Sequence, residues 1–146
     1  VLALKGLSRD HRQDVGDRAL PGLLDVLVSD AEIDADVGKA VLETLITLCE
    51  ADSANRELGF KYTDTVLAAD KIVNVLFVLL GDNNFYTRFS TIQYLVVLLQ
   101  NRRQAVQDYF LKAPAGTRNV IAILEDKREI VRNGANLIDF RPSASV

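Results

Sequence analysis

An all-α fold of repeating helical layers is predicted by three features of the 146-residue sequence. Apolar residues recur at helical spacing almost throughout. Three blocks align on one another, Leu23–Asp30, Val75–Asp82 and Asn119–Asp126, and each is an apolar run that ends in Asp. Each block stands between a shorter helical stretch and a longer one, so the unit reads short helix, short helix, long helix. Three helices in roughly 42 residues is the armadillo-like arrangement, an α-solenoid in which no unit buries its own apolar face and stacking makes one continuous core.

The elements follow in order. Val1–Leu7 reads as the last two turns of a long helix from a preceding unit. The first unit, about residues 9–50, opens with a short helix over about Arg9–Arg18. Pro21 then begins the Leu23 block, in a first turn where its missing N–H would have no partner. Asp36–Glu50 is the long helix of this unit. Ala51–Phe60, with Asp52, Ser53, Asn55 and Gly59, is expected to be a surface loop insertion. It accounts for the 52-residue offset between the first two blocks against 44 between the second and third.

The second unit, about 62–101, begins with a short helix over Tyr62–Ala69. Val75–Leu80 continues Lys71–Asn74 without a turn signal and stops at Gly81-Asp82-Asn83-Asn84, so it is a short buried helix and not a strand. In the long helix Phe85–Asn101, the residues Phe85, Phe89, Ile92, Val96 and Leu99 draw one stripe, widened by Leu95 and Leu98. A helix apolar over so much of its girth is covered on more than one side, and this one is expected to be the best buried element. The third unit, about 103–140, has a short helix over Arg103–Lys112, a joint at Pro114 and Gly116, the Asn119 block and a long helix over Arg128–Phe140 that Pro142 ends. Residues 141–146 leave the pattern. An array cut at both ends leaves apolar helix faces uncovered, so a fragment of this kind is expected to self-associate.

Composition narrows the function. The chain is 49% hydrophobic and 25% charged, which is ordinary globular usage. Its longest apolar runs, Val75–Leu80 and Tyr94–Leu99, are far below the roughly 20 residues that cross a bilayer. No basic leader with an apolar core opens the sequence. One cysteine, Cys49, makes neither an internal disulfide nor a zinc site and fits a reducing, cytoplasmic setting. Residues 1–70 carry 7 Lys and Arg against 14 Asp and Glu, and residues 71–146 carry 10 against 6. That polarity of −7 and +4 suits a protein partner. The net charge of −3 argues against general nucleic-acid binding, which needs clustered cations.

Chemistry-bearing residues are sparse. His11 stands alone in a mixed-charge helix start, and Cys49 lies on the apolar side of its helix with Leu45, Ile46 and Leu48, without the electropositive setting of a reactive thiol. Asp25, Asp30, Glu32, Asp34 and Asp36 form a carboxylate run, but the turn glycine of a calcium loop is missing, so a solvated inter-helix loop is expected. Arg88 and Arg132 each follow a block-ending Asp, Asp82 or Asp126, by six residues. They are the candidates for a guanidinium ladder, either facing a carboxylate-bearing partner or pairing within the array, with Asp82 and Asp126 as the obvious partners. Arg102, Arg103, Lys127 and Arg128 are candidate rim charges at helix ends. No phosphate-cradling loop, nucleophile elbow or metal motif is present, and neither an enzyme nor a cofactor is expected.

Among armadillo-like proteins, the sequence resembles the globular head of the general vesicular transport factor family, the p115/Uso1 tethers. The resemblance rests on Ala3-Leu4-Lys5-Gly6-Leu7-Ser8, Asp14-Val15-Gly16, Leu23–Leu27, Leu58-Gly59-Phe60, the Phe85–Leu99 helix, Ala113-Pro114-Ala115-Gly116 and Arg128–Asn133. It covers about residues 1–138 and departs at Asp139-Phe140-Arg141-Pro142-Ser143. It implies a protein-binding module of a long homodimer, with a coiled-coil tail and an acidic C-terminus, that tethers transport vesicles between the endoplasmic reticulum and the Golgi. The implied partners are Rab GTPases, SNAREs and coat or tether components, and the membrane association is peripheral, through those partners. The rival reading is a generic armadillo scaffold, such as a formin regulatory region or an import adaptor. Import adaptors resemble a Trp/Asn ladder, and this chain has no tryptophan.

Overall fold

The computed structural model describes residues 3, 5–7, 11–29, 34–113, 116–135 and 138. Its elements are α1 (Arg12–Val28), α2 (Ala35–Cys49), α3 (Arg56–Leu67), α4 (Asp70–Leu79), α5 (Phe85–Lys112), α6 (Gly116–Leu124) and α7 (Glu129–Ala135). No strand occurs among the described residues. The expected helix start at Arg9, the carboxylates Asp30 and Glu32, Pro114, and the end of the last helix with Pro142 lie outside them.

Successive helices pack on one another as layers, and one core runs through α1 to α7 without a break. The long helices α2, the first arm of α5, and α7 lie side by side, and α1, α3 and α4 cover their other flank. This order follows from the sequence pattern: each helix has apolar residues on two sides, so each needs two neighbours.

Three element boundaries differ from expectation. The short helix before Pro21 and the block after it are one helix, α1, with Pro21 in its interior. Pro21 is exposed, so water can serve the carbonyl that the missing proline N–H leaves unpaired. The insertion is shorter than Ala51–Phe60, because α3 already starts at Arg56. Gly59 explains why: a Cβ there would stand 2.6 Å from the Glu50 carbonyl oxygen and 2.8 Å from Ala51 Cα, so only glycine lets α3 start against the chain leaving α2. The expected boundary between Asn101 and Arg103 is a bend within α5, where Arg102 takes φ −142° and ψ 67°.

The buried face of α5 is also rotated from the predicted stripe. Ile92 and Leu99 are buried, but Phe85, Phe89 and Val96 are only half-buried, and the deepest positions are Thr91, Tyr94, Leu95 and Leu98. Thr91 is tolerated there because its hydroxyl donates to the Thr87 carbonyl at 2.7 Å. The widening residues thus mark the centre of the face and the first stripe its edge.

Polar side chains tie the layers together across the core. Tyr62 lies over Gly16, whose Cβ would overlap the ring at 2.2 Å, and its hydroxyl reaches the Gln13 carbonyl at 3.1 Å and the Asp17 carboxylate at 3.0 Å. Tyr109 repeats the arrangement one layer on, donating to the Leu67 carbonyl and meeting Asp70 Oδ1, both at 2.6 Å. Arg12 caps the end of α2, donating to the Leu48 carbonyl at 3.2 and 3.1 Å and to the Glu50 carbonyl. Asn101 donates to the Cys49 carbonyl at 2.6 Å and meets the Thr63 hydroxyl at 2.8 Å.

Candidate partner-binding faces

The long-helix flank carries a groove of about 560 Å³ between α2, α5 and α7. Ile46, Phe89, Val96, Val97 and Ile130 make it apolar, Gln93 and Asn133 add amides, and Glu50 supplies a charge. The sequence builds it in two ways. Phe89, Gln93, Val96 and Val97 recur at helical spacing on the side of α5 turned from its core face. Gly134 lets α7 close on α5, since a Cβ there would stand 3.0 Å from Ile92 Cγ2. Beside the groove, Tyr86 is exposed, with the Lys39 ammonium 4.7 Å from its ring centre. Such a surface suits an apolar segment of another protein, with polar groups that fix its register.

The second feature is the joint between α4–α5 and α6–α7. Arg88 grips the Asp126 carboxylate with Nε and Nη2 at 2.7 and 3.3 Å, and donates through Nη1 to the carbonyls of Asp82 and Asn83 at 3.1 Å each. Both side chains are mostly covered, at 17% and 9% exposure. Burial pushes the Asp126 carboxyl up, but the Arg128 N–H at 2.8 Å and the Arg88 guanidinium outweigh it and hold the carboxyl below the usual carboxylate range. Arg132 donates through Nη1 to the Asp126 carbonyl at 2.6 Å. Of the two expected carboxylate partners of Arg88, the structure therefore supplies that of Asp126, while Asp82 and, for Arg132, Asp126 offer backbone oxygens.

The rim candidates separate. Arg102 forms a two-pronged pair with Asp64 at 2.7 and 3.1 Å and lies 4.5 Å from the Phe60 ring centre. It is a joint residue as well as a rim charge, and the Asp64 bond pushes its guanidinium pKa up. Arg103 is half-buried, Lys127 is exposed, and Arg128 is exposed with its guanidinium 5.0 Å from the Phe85 ring centre. Other cross-layer contacts were not read from the sequence: Lys61 to Asp17 at 2.9 Å, and the Tyr62 and Tyr109 hydroxyl bonds. The signal available was the recurrence of Tyr on the first helix of successive units.

The remaining candidates stand apart from both faces. His11 is exposed at the start of α1. Cys49 is fully buried, its sulfur 3.5 Å from the Tyr94 hydroxyl, and burial pushes its thiol up to about 11, so it is a neutral packing group at neutral pH. Asp34 caps α2 by accepting from the Asp36 N–H at 2.9 Å. Among the described residues no cluster of His, Cys, Asp and Glu could hold a metal, and no helix is long and apolar enough to cross a membrane.

No family model matches the chain. It is 30% identical to bovine general vesicular transport factor p115 over 94% of its own length, and 28% identical to the Arabidopsis thaliana protein named Golgin candidate 6 over 77%. It spans about 15% of the bovine protein and 13% of the plant protein. The crystal structure of Uso1-1 superposes with a TM-score of 0.82 at 24% identity, over 93% of this chain and 25% of that one. That likeness establishes the armadillo-like helical fold. The chain is a homologue of one segment of the p115/Uso1 vesicular transport factors.

Proposed function

We propose that this chain is a protein-binding segment of a vesicle-tethering factor that works in endoplasmic reticulum-to-Golgi and intra-Golgi transport. The observation that carries the reading is the 30% identity to p115 across 94% of the chain. Its contribution is a surface and not a reaction. The partners are proteins of the transport machinery, a Rab GTPase, a SNARE or a coat or tether component, and they hold the whole factor, as a homodimer, on the cytoplasmic side of Golgi and vesicle membranes. Three layers, about 9–50, 62–101 and 103–140, supply the frame, and the groove between α2, α5 and α7 is the binding face.

The groove supports this assignment because it is apolar at Phe89, Val97 and Ile130, yet edged by Gln93, Asn133 and Glu50. The test immobilises the chain and measures capture of Golgi-derived vesicles, with Phe89→Asp and Val97→Glu as variants. Capture by the wild type, lost in both variants at unchanged helicity, is the expected result. Capture equal in all three moves the partner to another face, and no capture by any of them overturns the tethering role for this segment.

A further inference from the structure

The groove between α2, α5 and α7 has two unlike ends. At the end where the three helices begin, the Lys39 ammonium, early in α2, lies 4.7 Å from the ring centre of the exposed Tyr86. The Arg128 guanidinium, just before α7, stands 5.0 Å from the Phe85 ring centre. Phe85 meets Tyr86 at 4.9 Å between ring centres and stacks on Phe89 at 6.2 Å, so an aromatic strip runs from the two cations onto the groove floor. Glu43 lies one turn beyond Lys39 but is paired by Lys5, and its contact to Lys39 is a loose 4.0 Å. At the far end, α2 stops at Cys49, and Glu50 is the one charged side chain among the described residues that line the groove. The helix dipoles add to this polarity, positive where α2 and α5 begin and negative where α2 stops.

We infer that the groove takes an amphipathic helix of a partner protein that is oppositely charged at its two ends, with carboxylates against Lys39 and Arg128 and a lysine or arginine against Glu50. The inference rests on the assignment of the groove as the binding face. It adds the conformation and the charge pattern of what binds there.

The floor specifies the helix. Ile46, Phe89, Val97 and Ile130 are apolar, and Gln93 and Asn133 are the two amides among them. An extended segment would press a row of main-chain N–H and C=O groups onto that floor, more than two amides can serve, whereas a helix satisfies its own main chain and presents only side chains. From Tyr86 to Val97 the floor runs about 17 Å along α5, at 1.5 Å per residue, which is three turns of an occupant helix. Apolar side chains at i, i+4 and i+7 then fall on the floor, and the first and last turns reach the charged ends. Opposite charges there match both ends at once, while a helix of one sign meets repulsion at one of them.

The test uses synthetic peptides of about three helical turns, held helical by a side-chain lactam and sharing one leucine stripe. One carries lysines in one end turn and glutamates in the other, a second carries lysines at both ends, and a third glutamates at both. Fluorescence anisotropy measures their binding to the whole 146-residue chain. The two-signed peptide is expected to bind about tenfold tighter than either of the others. Glu50→Lys should shift the preference to the glutamate-ended peptide, and Lys39→Glu with Arg128→Glu to the lysine-ended one, at unchanged circular dichroism. Equal binding of the three peptides, a preference that ignores these reversals, or no binding of the two-signed peptide overturns the charge pattern. An unbridged analogue with proline at its centre should not bind, and equal binding by it overturns the helix. Retained binding in Phe89→Asp places the peptide outside the groove and overturns the inference as a whole. The outcome separates from that of vesicle capture: capture lost in Phe89→Asp without any preference among the peptides keeps the groove and removes its polarity, whereas the full charge preference without capture keeps the polarity and removes the tethering role.

Discussion

Phe77 and Ile121 occupy the same place in the repeat, yet one is fully buried and the other is 54% exposed. Leu80 and Leu124 differ in the same way, at 0% and 44%. The local sequence is not the cause, since both blocks are apolar runs ending in Asp. What differs is the neighbour: α6 and the second arm of α5 cover α4, whereas nothing among the described residues covers α6 to that degree. In a layered array, burial is a property of the interface and not of the helix, so stability should be concentrated in the middle of this chain.

The largest effect is therefore expected on the first arm of α5. Leu95 and Leu98 are fully buried between α2 and the helices behind them. Truncation of either to Ala should cost about 2–5 kcal/mol, the range for a core leucine whose cavity does not collapse. Urea unfolding measures it. A cost equal to that of truncating Ile121 would erase the contrast between the layers.

Next comes Gly59→Ala. The added methyl meets backbone at Glu50 and Ala51, which no rotamer change relieves, so a loss of about 1–3 kcal/mol is expected. Gly22, with no atom within 4 Å of the position a Cβ would take, serves as the control. Ala at position 22 of the helix should be neutral or slightly stabilising.

The joint arginine follows. Removing Arg88 leaves the mostly covered Asp126 carboxylate with the Arg128 N–H and a more distant Arg132, and should cost about 1.5–3 kcal/mol, typical for a lost hydrogen bond to a charged group. The sign with pH is fixed. Because the folded Asp126 carboxyl lies below its ordinary 3.8, its contribution is present above that value and is lost as pH falls through the lower folded value. Asp126→Asn should flatten this acid limb of the stability profile, and an unchanged limb would show that the pair does not form.

These contrasts also show how far the sequence could be read. Helical periodicity and the three Asp-ended blocks are local patterns, and they found the fold class; the six-residue Asp-to-Arg spacing is local too, whereas the carboxylate that Arg88 takes comes from Asp126, 38 residues away. The tilt of α5 about its own axis was not local. Phe85 to Leu99 forms a valid stripe by spacing alone, but the helices on both sides choose Thr91, Tyr94, Leu95 and Leu98 as the deepest line. Pro21 misled for a similar reason. It reads as a helix start, and only its exposure permits it in the interior of α1. The groove was the least legible feature, because α2, α5 and α7 meet only in space.

A smaller effect separates the two limbs of the pH profile. Cys49 ionises near 9 when exposed and near 11 in the fold. Between those values the unfolded chain releases a proton that the folded chain keeps, so stability falls with rising pH, by up to about 1.4 kcal/mol per unit from this group. Cys49→Ala should shallow that slope. A thiol reagent at pH 8 should label the wild type only after denaturant is added, and rapid native labelling would mean the α2–α5 seam opens.

The smallest effect is expected at Ile121, and it is the sharpest test of the comparison. Over half of this side chain is already in water, so truncation to Ala removes little transfer free energy and leaves no enclosed cavity. A change within about 0.5 kcal/mol is the range for surface positions free of special contacts. The corresponding Phe77→Ala opens a cavity against Phe110 and belongs with the core truncations. If dilute, monomeric protein shows a cost above about 1.5 kcal/mol for Ile121→Ala, the last layer already has a cover of its own. The difference between the two joints would then lie in which side chains their neighbours present, and not in whether a neighbour is there.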